Sequence, residues 1–237
     1  MYSLNYKVTT STCDSEGHLK IFSALQMLQD CSEMWIESEP AVKRYFHEQH
    51  MTQLLATRQV EIVRIPSFKE DLTVTTSVYG VKPMFGFRNT FITDAHGEPC
   101  IKTWSMGAFV DLTTGRLKRI DSDVIATVAI DEQRPMNYRD RRIILPHVEP
   151  QLHAPVPVMR ADIDYNRHMN NAHYARIAME LLPPGFTIDG MRMEYRQPAK
   201  LGDTLTPSLY NMGNTIIVAL AVGSEPSAII EFTQGVG

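Results

Sequence analysis

A repeat carried by polar residues constrains this 237-residue chain more than any single segment does. Asp14 and His18 stand four apart in the turn-rich stretch Cys13-Asp14-Ser15-Glu16-Gly17-His18, just ahead of a helical pattern. Asp164 and His168 stand four apart ahead of a second helical pattern, 150 residues further on. Downstream, Arg64-Ile65-Pro66 with Asp71 returns as Arg196-Gln197-Pro198 with Asp203 after 132 residues. The two spacings differ by 18 because the first copy holds extra helical sequence around Pro40 to His50. Loop, helix and strand ends that recur in one order describe two copies of a single supersecondary unit.

Hydrophobic periodicity says what that unit is. Tyr2, Leu4, Tyr6 and Val8 alternate with polar residues, as a strand does. Residues 21–36 place Leu25, Leu28, Cys31 and Trp35 on one helical face; Pro40 interrupts, and 41–50 reads as a second, more polar helix. Strands are expected at 55–65, 71–78, 85–93 and 101–110, with turn signals such as Ala95-His96-Gly97-Glu98 between them. Residues 112–150 read as a connector holding at most a short helix near 121–129. The second copy then runs strand (152–159), polar loop, helix (172–182, stopped by Pro183-Pro184) and strands at 189–195, 204–210, 215–222 and 228–233.

A helix with one apolar stripe, laid on an antiparallel sheet, buries the apolar face of each. The expected class is therefore α+β: two tandem hotdog domains, each a curved antiparallel sheet wrapped around a long central helix. Their expected bounds are 1–130 and 151–237, with a linker at 131–150.

Composition excludes several functions. A net charge of −4 and a pI near 6.1 argue against a nucleic-acid binder. Three scattered cysteines, Cys13, Cys31 and Cys100, offer neither a disulfide framework nor zinc spacing. No stretch approaches the ~18 apolar residues that span a bilayer, and the first residues alternate rather than forming a signal peptide. The expectation is a cytoplasmic protein with no cofactor. A metal site built from Asp164, His168 and His173 has no familiar ligand spacing.

The stretch Asp164-Tyr165-Asn166-Arg167-His168-Met169-Asn170-Asn171 holds one carboxylate, one imidazole and three carboxamides at the head of the second helix. Each residue alone is an ordinary turn or cap former. Together they place an acid–base pair beside the unpaired N–H groups and positive dipole end of a helix, where an oxyanion is stabilised. Asn170 or Asn171 is the expected N-cap. The first copy has Leu19-Lys20 where the second has Met169-Asn170, and it lacks the inner Asn, so the chemistry is expected in the second half.

The pattern Asp-x-Asn-x-His-x-Asn-Asn-x-x-Tyr, here Asp164, Asn166, His168, Asn170, Asn171 and Tyr174, resembles the active-site segment of the acyl-acyl carrier protein thioesterases, which are hotdog-fold enzymes. The resemblance implies hydrolysis of fatty acyl-acyl carrier protein to free fatty acid, with acyl carrier protein as partner. It implies catalytic roles for Asp164, Asn166 and His168, and substrate binding by Asn170, Asn171 and Tyr174. Plant members carry Glu-Cys shortly after Glu-Tyr-Arg. Here Glu194-Tyr195-Arg196 is followed by Gln197-Pro198-Ala199, which excludes a cysteine nucleophile there and leaves Glu194 as a further candidate base. The first half would supply packing and part of an acyl pocket, with Leu25, Met27, Leu28, Met34 and Trp35 as candidate lining. An acidic carrier calls for a basic docking surface, for which Arg116, Lys118, Arg119, Arg139, Arg141 and Arg142 are candidates. An acyl-coenzyme A thioesterase and a non-catalytic acyl-binding module are the competing readings. Association into a homodimer stays open.

Overall fold

The computed structural model describes residues 1–235. The chain forms two compact units, Met1–Ala56 with Glu61–Tyr138, and Thr57–Val60 with the chain from Arg139 onward. The stretch 131–150, expected as a linker, is shared between them at Tyr138 and Arg139 instead of standing free.

The first unit runs β1 (Tyr2–Lys7), α1 (Ile21–Ser38), α2 (Pro40–Glu48), β2 (Met51–Ile62), β3 (Asp71–Lys82), β4 (Phe85–Asp94), β5 (Pro99–Asp111) and a one-turn helix α3 (Ser122–Ile125). Its strands lie in the order β1-β3-β4-β5-β2, and β1 with β3, β3 with β4, and β4 with β5 pair antiparallel. The stripe expected on the first helix is the one α1 buries: Leu25, Met27, Leu28, Cys31 and Trp35 face inward, and the helix packs on β3, β4 and β1. Each large apolar side chain so buried contributes about 1.5–3 kcal/mol. Pro40 cannot continue α1, but it fits the first position of α2, where no helical N–H is needed. A second apolar cluster joins Trp35 with Val42, Phe46, Val78 and Phe109.

The second unit contains β6 (Gln151–Leu152), β7 (Val156–Pro157), a 3₁₀ turn (Arg160–Asp162), α4 (Asn171–Met179), β8 (Gly190–Tyr195), β9 (Thr204–Asn211), β10 (Thr215–Val222) and β11 (Glu225–Thr233). The strand order is β8-β11-β10-β9, with β6 and β7 both on β9. Within this unit the Thr57 hydroxyl donates to the Met193 carbonyl at 2.9 Å. The continuous strand expected at 152–159 is two short ladders, because Pro155 and Pro157 lack the N–H a ladder needs. Helix α4 spans nine residues where α1 spans eighteen, so the second domain keeps the hotdog arrangement with a short helix. It packs on β10 and β11 through Tyr174, Ala175, Ile177 and Ala178.

Strand alternation sorts the second sheet into two faces. Tyr195 points toward α4: its hydroxyl donates to the Asn171 carbonyl at 3.1 Å, and its ring meets Tyr174 edge-on. Glu194 and Arg192 therefore point the other way, beside their partners Ile229 and Glu231. The connector covers that opposite face. Ile143 packs on Ile217, Ala219 and Ile229, its N–H donates to Glu194 at 2.9 Å, and Arg139 pairs with Glu231 at 2.8 Å. No helix among the described residues is long and apolar enough to cross a membrane.

Candidate active site

The spacing of four between Asp164 and His168 is a loop requirement before it is a chemical one. Asp164 Oδ1 accepts from the N–H groups of Asn166 (2.9 Å) and His168 (3.4 Å). The Asp164 N–H donates to the His168 carbonyl at 2.9 Å, closing the loop and leaving Arg167 at φ 63°. Asp14 makes the same bonds to Glu16 and His18, with Gly17 at φ 82°, and so does Asp94 to His96 and Glu98 in the β4–β5 hairpin, with Gly97 at φ 83°. An Asp that ties two N–H groups shapes a turn, and an ordinary hairpin uses it too. Chemistry must come from the side chains the loop displays.

Here the three copies part. In the second unit the loop displays Asn166 and His168 and runs into α4. Asp164 Oδ2 and the carboxamides of Asn166 and Asn171 make no hydrogen bond among the described residues, while His168 Nδ1 is out of solvent with no partner. Buried polar atoms are normally satisfied, so this ring nitrogen is open to a bond from a water or a substrate atom. At the start of α4, Asn170 is the N-cap: its Oδ1 accepts the Ala172 N–H at 2.9 Å and its carbonyl the His173 N–H at 3.0 Å. The Asn171 N–H is left as the uncommitted donor of the first turn. Of the several helix N–H groups expected to meet an oxyanion, one is free.

Two expected site residues are used elsewhere. Tyr174 is buried, and its phenolic oxygen accepts the Ala199 N–H at 2.8 Å; burial pushes its pKa up to about 12. It ties α4 to the strand end beyond β8 and presents no surface to a substrate. Glu194 faces away from α4, where the Ile143 N–H and the Arg196 guanidinium hold it. The geometry separates it from Asp164 and His168.

The structure also shows a carboxylate that sequence reading passed over. Asp162 is 4% exposed. Its Oδ1 meets His173 Nδ1 at 2.7 Å and Arg176 at 3.0 Å, and its Oδ2 accepts the Met159 N–H at 2.9 Å. Burial works to raise the Asp162 carboxyl, but the Met159 N–H and the His173 and Arg176 charges outweigh it and hold the pKa below the usual value. The signal available in the sequence was His173 and Arg176 three apart on one helical face, with an Asp just upstream.

Other expected roles divide similarly. Leu25, Met27 and Leu28 are plain core, and Met34 is exposed. Trp35 lines a small apolar hollow of the first unit, partly open to solvent, together with Val42, Phe46, Val78 and Phe109. Among the candidate docking cations, Lys118 is held by Asp111 and the Gln49 carbonyl, and Arg139 by Glu231. Arg116, Arg119, Arg141 and Arg142 are exposed and make no ion pair among the described residues.

Two family models match the sequence: the acyl-ACP thioesterase N-terminal domain over residues 1–128 and the acyl-ACP thioesterase C-terminal domain over residues 147–221. No curated protein sequence shows significant similarity to the chain. Among solved structures, an acyl-ACP thioesterase from Bacteroides thetaiotaomicron is similar at 21% identity and a TM-score of 0.86, covering 98% of this chain and 96% of that one. The 12:0-ACP thioesterase from Umbellularia californica is similar at 14% identity and a TM-score of 0.86, with the same coverage of 98% and 96%. At these identities the likeness establishes the fold.

Proposed function

Since the chain belongs to the acyl-ACP thioesterase family and is a thioester hydrolase acting on fatty acyl-acyl carrier protein, we propose that Asp164, Asn166 and His168, with the Asn171 N–H, are its catalytic centre. The observation that carries this reading is the set of uncommitted polar atoms gathered at the head of α4: Asp164 Oδ2, the Asn166 carboxamide, His168 Nδ1 and the Asn171 N–H.

In the proposed reaction the substrate carbonyl oxygen accepts from the Asn171 N–H, at the positive end of α4. Asp164 Oδ2 takes a proton from water as the water oxygen bonds to the carbonyl carbon. The tetrahedral oxyanion then collapses, the C–S bond breaks, and the thiolate recovers the proton. A thiolate is a good leaving group, so no strong acid at sulfur is required. His168 and Asn166 orient the water and the carbonyl. Direct attack by Asp164, giving a mixed anhydride, uses the same geometry; in a single turnover in ¹⁸O-labelled water, label in the Asp164 carboxylate identifies that route when water opens the anhydride at the Asp164 carbon. Glu194 takes no part, and Asn170 and Tyr174 serve as cap and packing.

Thiol release from acyl-carrier and acyl-coenzyme A substrates of several chain lengths tests the reading. Hydrolysis by the wild-type protein and its loss in Asp164→Ala support it, and wild-type turnover in Asp164→Ala overturns it. The exposed Arg141 and Arg142 are the proposed contact for the acidic carrier. Charge reversal at both should raise KM for carrier-bound substrate and leave the coenzyme A substrate unaffected; no change with either substrate removes them from the contact.

A further inference from the structure

Asp162 and its first-unit equivalent each accept the N–H three residues back, from Met159 and Thr9 at 2.9 Å, but the tie from Asp162 to α4 has no counterpart in the first unit. Shifted by the repeat of 150, its equivalent is Thr12, and those of His173 and Arg176 are Ser23 and Gln26. The backbone bond is common to both units: the Asn170 N–H donates to the Asp162 carbonyl at 2.8 Å, and the Lys20 N–H to the Thr12 carbonyl at 2.9 Å. The side chains differ. The Thr12 hydroxyl bonds back to the Thr9 carbonyl at 3.1 Å, within its own loop. The Asp162 carboxylate instead crosses to the first two turns of α4, through His173 and Arg176. The ionic tie is thus present in the copy that has Asn166 and the buried His168 ring nitrogen, and missing from the copy whose Asp14 and His18 are exposed and whose inner Asn is replaced by Glu16.

Its position gives it leverage. The carbonyl of Asp162 holds the N-cap Asn170, and its carboxylate holds both the Met159 N–H before the loop and the helix after it. The seven residues from Ile163 to Met169 are pinned at both ends by this one residue, and a bridge between Ile163 and Met169 closes the gap. A buried carboxylate bonded to a guanidinium, an imidazole and a backbone donor is a rigid joint, because loss of a partner leaves its charge less compensated. We propose that Asp162 is a positioning residue for thioester hydrolysis: through His173, Arg176 and Asn170 it fixes the first turn of α4 against the Asp164–His168 loop, and so sets the distance between the attacking group and the Asn171 N–H. Reactions of this kind lose about 10²-fold in rate when such groups are misplaced by about 1 Å. This inference rests on the catalytic centre proposed above.

The test compares Asp162→Asn, His173→Gln, His173→Lys and Arg176→Met. For each, kcat and KM are measured with acyl-carrier substrate at a temperature where circular dichroism shows the variant folded. The expected result is a fall in kcat of roughly 30- to 100-fold for Asp162→Asn, with KM within about twofold, since orientation rather than ground-state binding is lost. His173→Gln should lose roughly tenfold and His173→Lys less, because lysine restores a cationic donor to Asp162. Unchanged kcat in both Asp162→Asn and Arg176→Met overturns the proposal. So does a His173→Lys variant as impaired as His173→Gln. Should Asp162→Asn not fold, Arg176→Met and the two His173 variants decide the matter alone. Absence of hydrolysis in the wild-type protein would instead sink the functional reading, so the two failures are distinguishable.

Discussion

The substitution Asp164→Asn has a control built into the fold. Asp14 makes the same two side-chain bonds, at 2.9 Å each, in a loop of the same form. Asp14→Asn therefore imposes the structural part of the change without the chemical part. In both variants the amide oxygen still accepts, and what disappears is the charge assistance, roughly half the strength of such a bond. With a net hydrogen bond worth about 1 kcal/mol and the loops screened by solvent, each variant should lose on the order of 1 kcal/mol or less. In a chain of this size that lowers Tm by about 2–4 °C. The chemical part is larger: removing a general base costs about 10²- to 10⁴-fold in turnover, or about 3–5 kcal/mol on the barrier. The assay is thiol release from acyl-carrier substrate, run beside thermal melts of both variants. Similar melting shifts are expected, with Asp14→Asn turnover within about threefold of wild type and Asp164→Asn down by about 100-fold or more. If both variants lose turnover equally, Asp164 only shapes a loop and the reasoning fails.

Tyr174→Phe orphans the buried Ala199 N–H and should cost about 1–3 kcal/mol in urea unfolding, with KM unchanged; a large rise in KM would return Tyr174 to substrate binding. Glu194→Gln keeps an acceptor for the Ile143 N–H, so turnover should stay within about threefold, whereas a loss of about 100-fold would make Glu194 the base. The Thr114 N–H first, and the Lys118 ammonium next, pull the Asp111 pKa from 3.8 to about 2. A carboxylate with a lower pKa folded than unfolded stabilises the fold above the unfolded value and loses that contribution as pH falls through the folded one. Tm should therefore drop between about pH 4 and about pH 2, and Asp111→Asn should flatten that part of the curve.

Much of the fold was legible because it rests on local pattern. The 3.6-residue stripe of α1, Pro40 as a stop, the alternation of β9 and the unbroken apolar run of β10 each declare an element without tertiary help. The two domains followed from the spacing of Asp14 and Asp164, which the loop geometry explains. The 152–159 strand failed where two prolines outvoted alternation. The site was legible in part. Asp164, Asn166 and His168 do share one loop, but sequence could not tell a displayed side chain from a satisfied one, so Tyr174 read as substrate-binding and Glu194 as a further candidate base. Asp162 was passed over for the converse reason: the i, i+3 pair His173 and Arg176 was only a faint signal, because these partners lie 11 and 14 residues away and only folding of the 3₁₀ turn against α4 brings the three side chains together.

Neither domain is a contiguous piece of the polypeptide. A gene fragment starting at Gln151 would omit Ile143, which covers Ile217, Ala219 and Ile229, and Arg139, which joins Arg192 on the nearly buried Glu231. It would also omit Thr57–Val60, including the hydroxyl that caps the Met193 carbonyl. Such a half-protein would expose a greasy plane and should precipitate. Chimaeras between related enzymes face the same rule: a transplanted C-terminal cassette must begin by Arg139 and arrive with a matching tetrapeptide from the middle of β2.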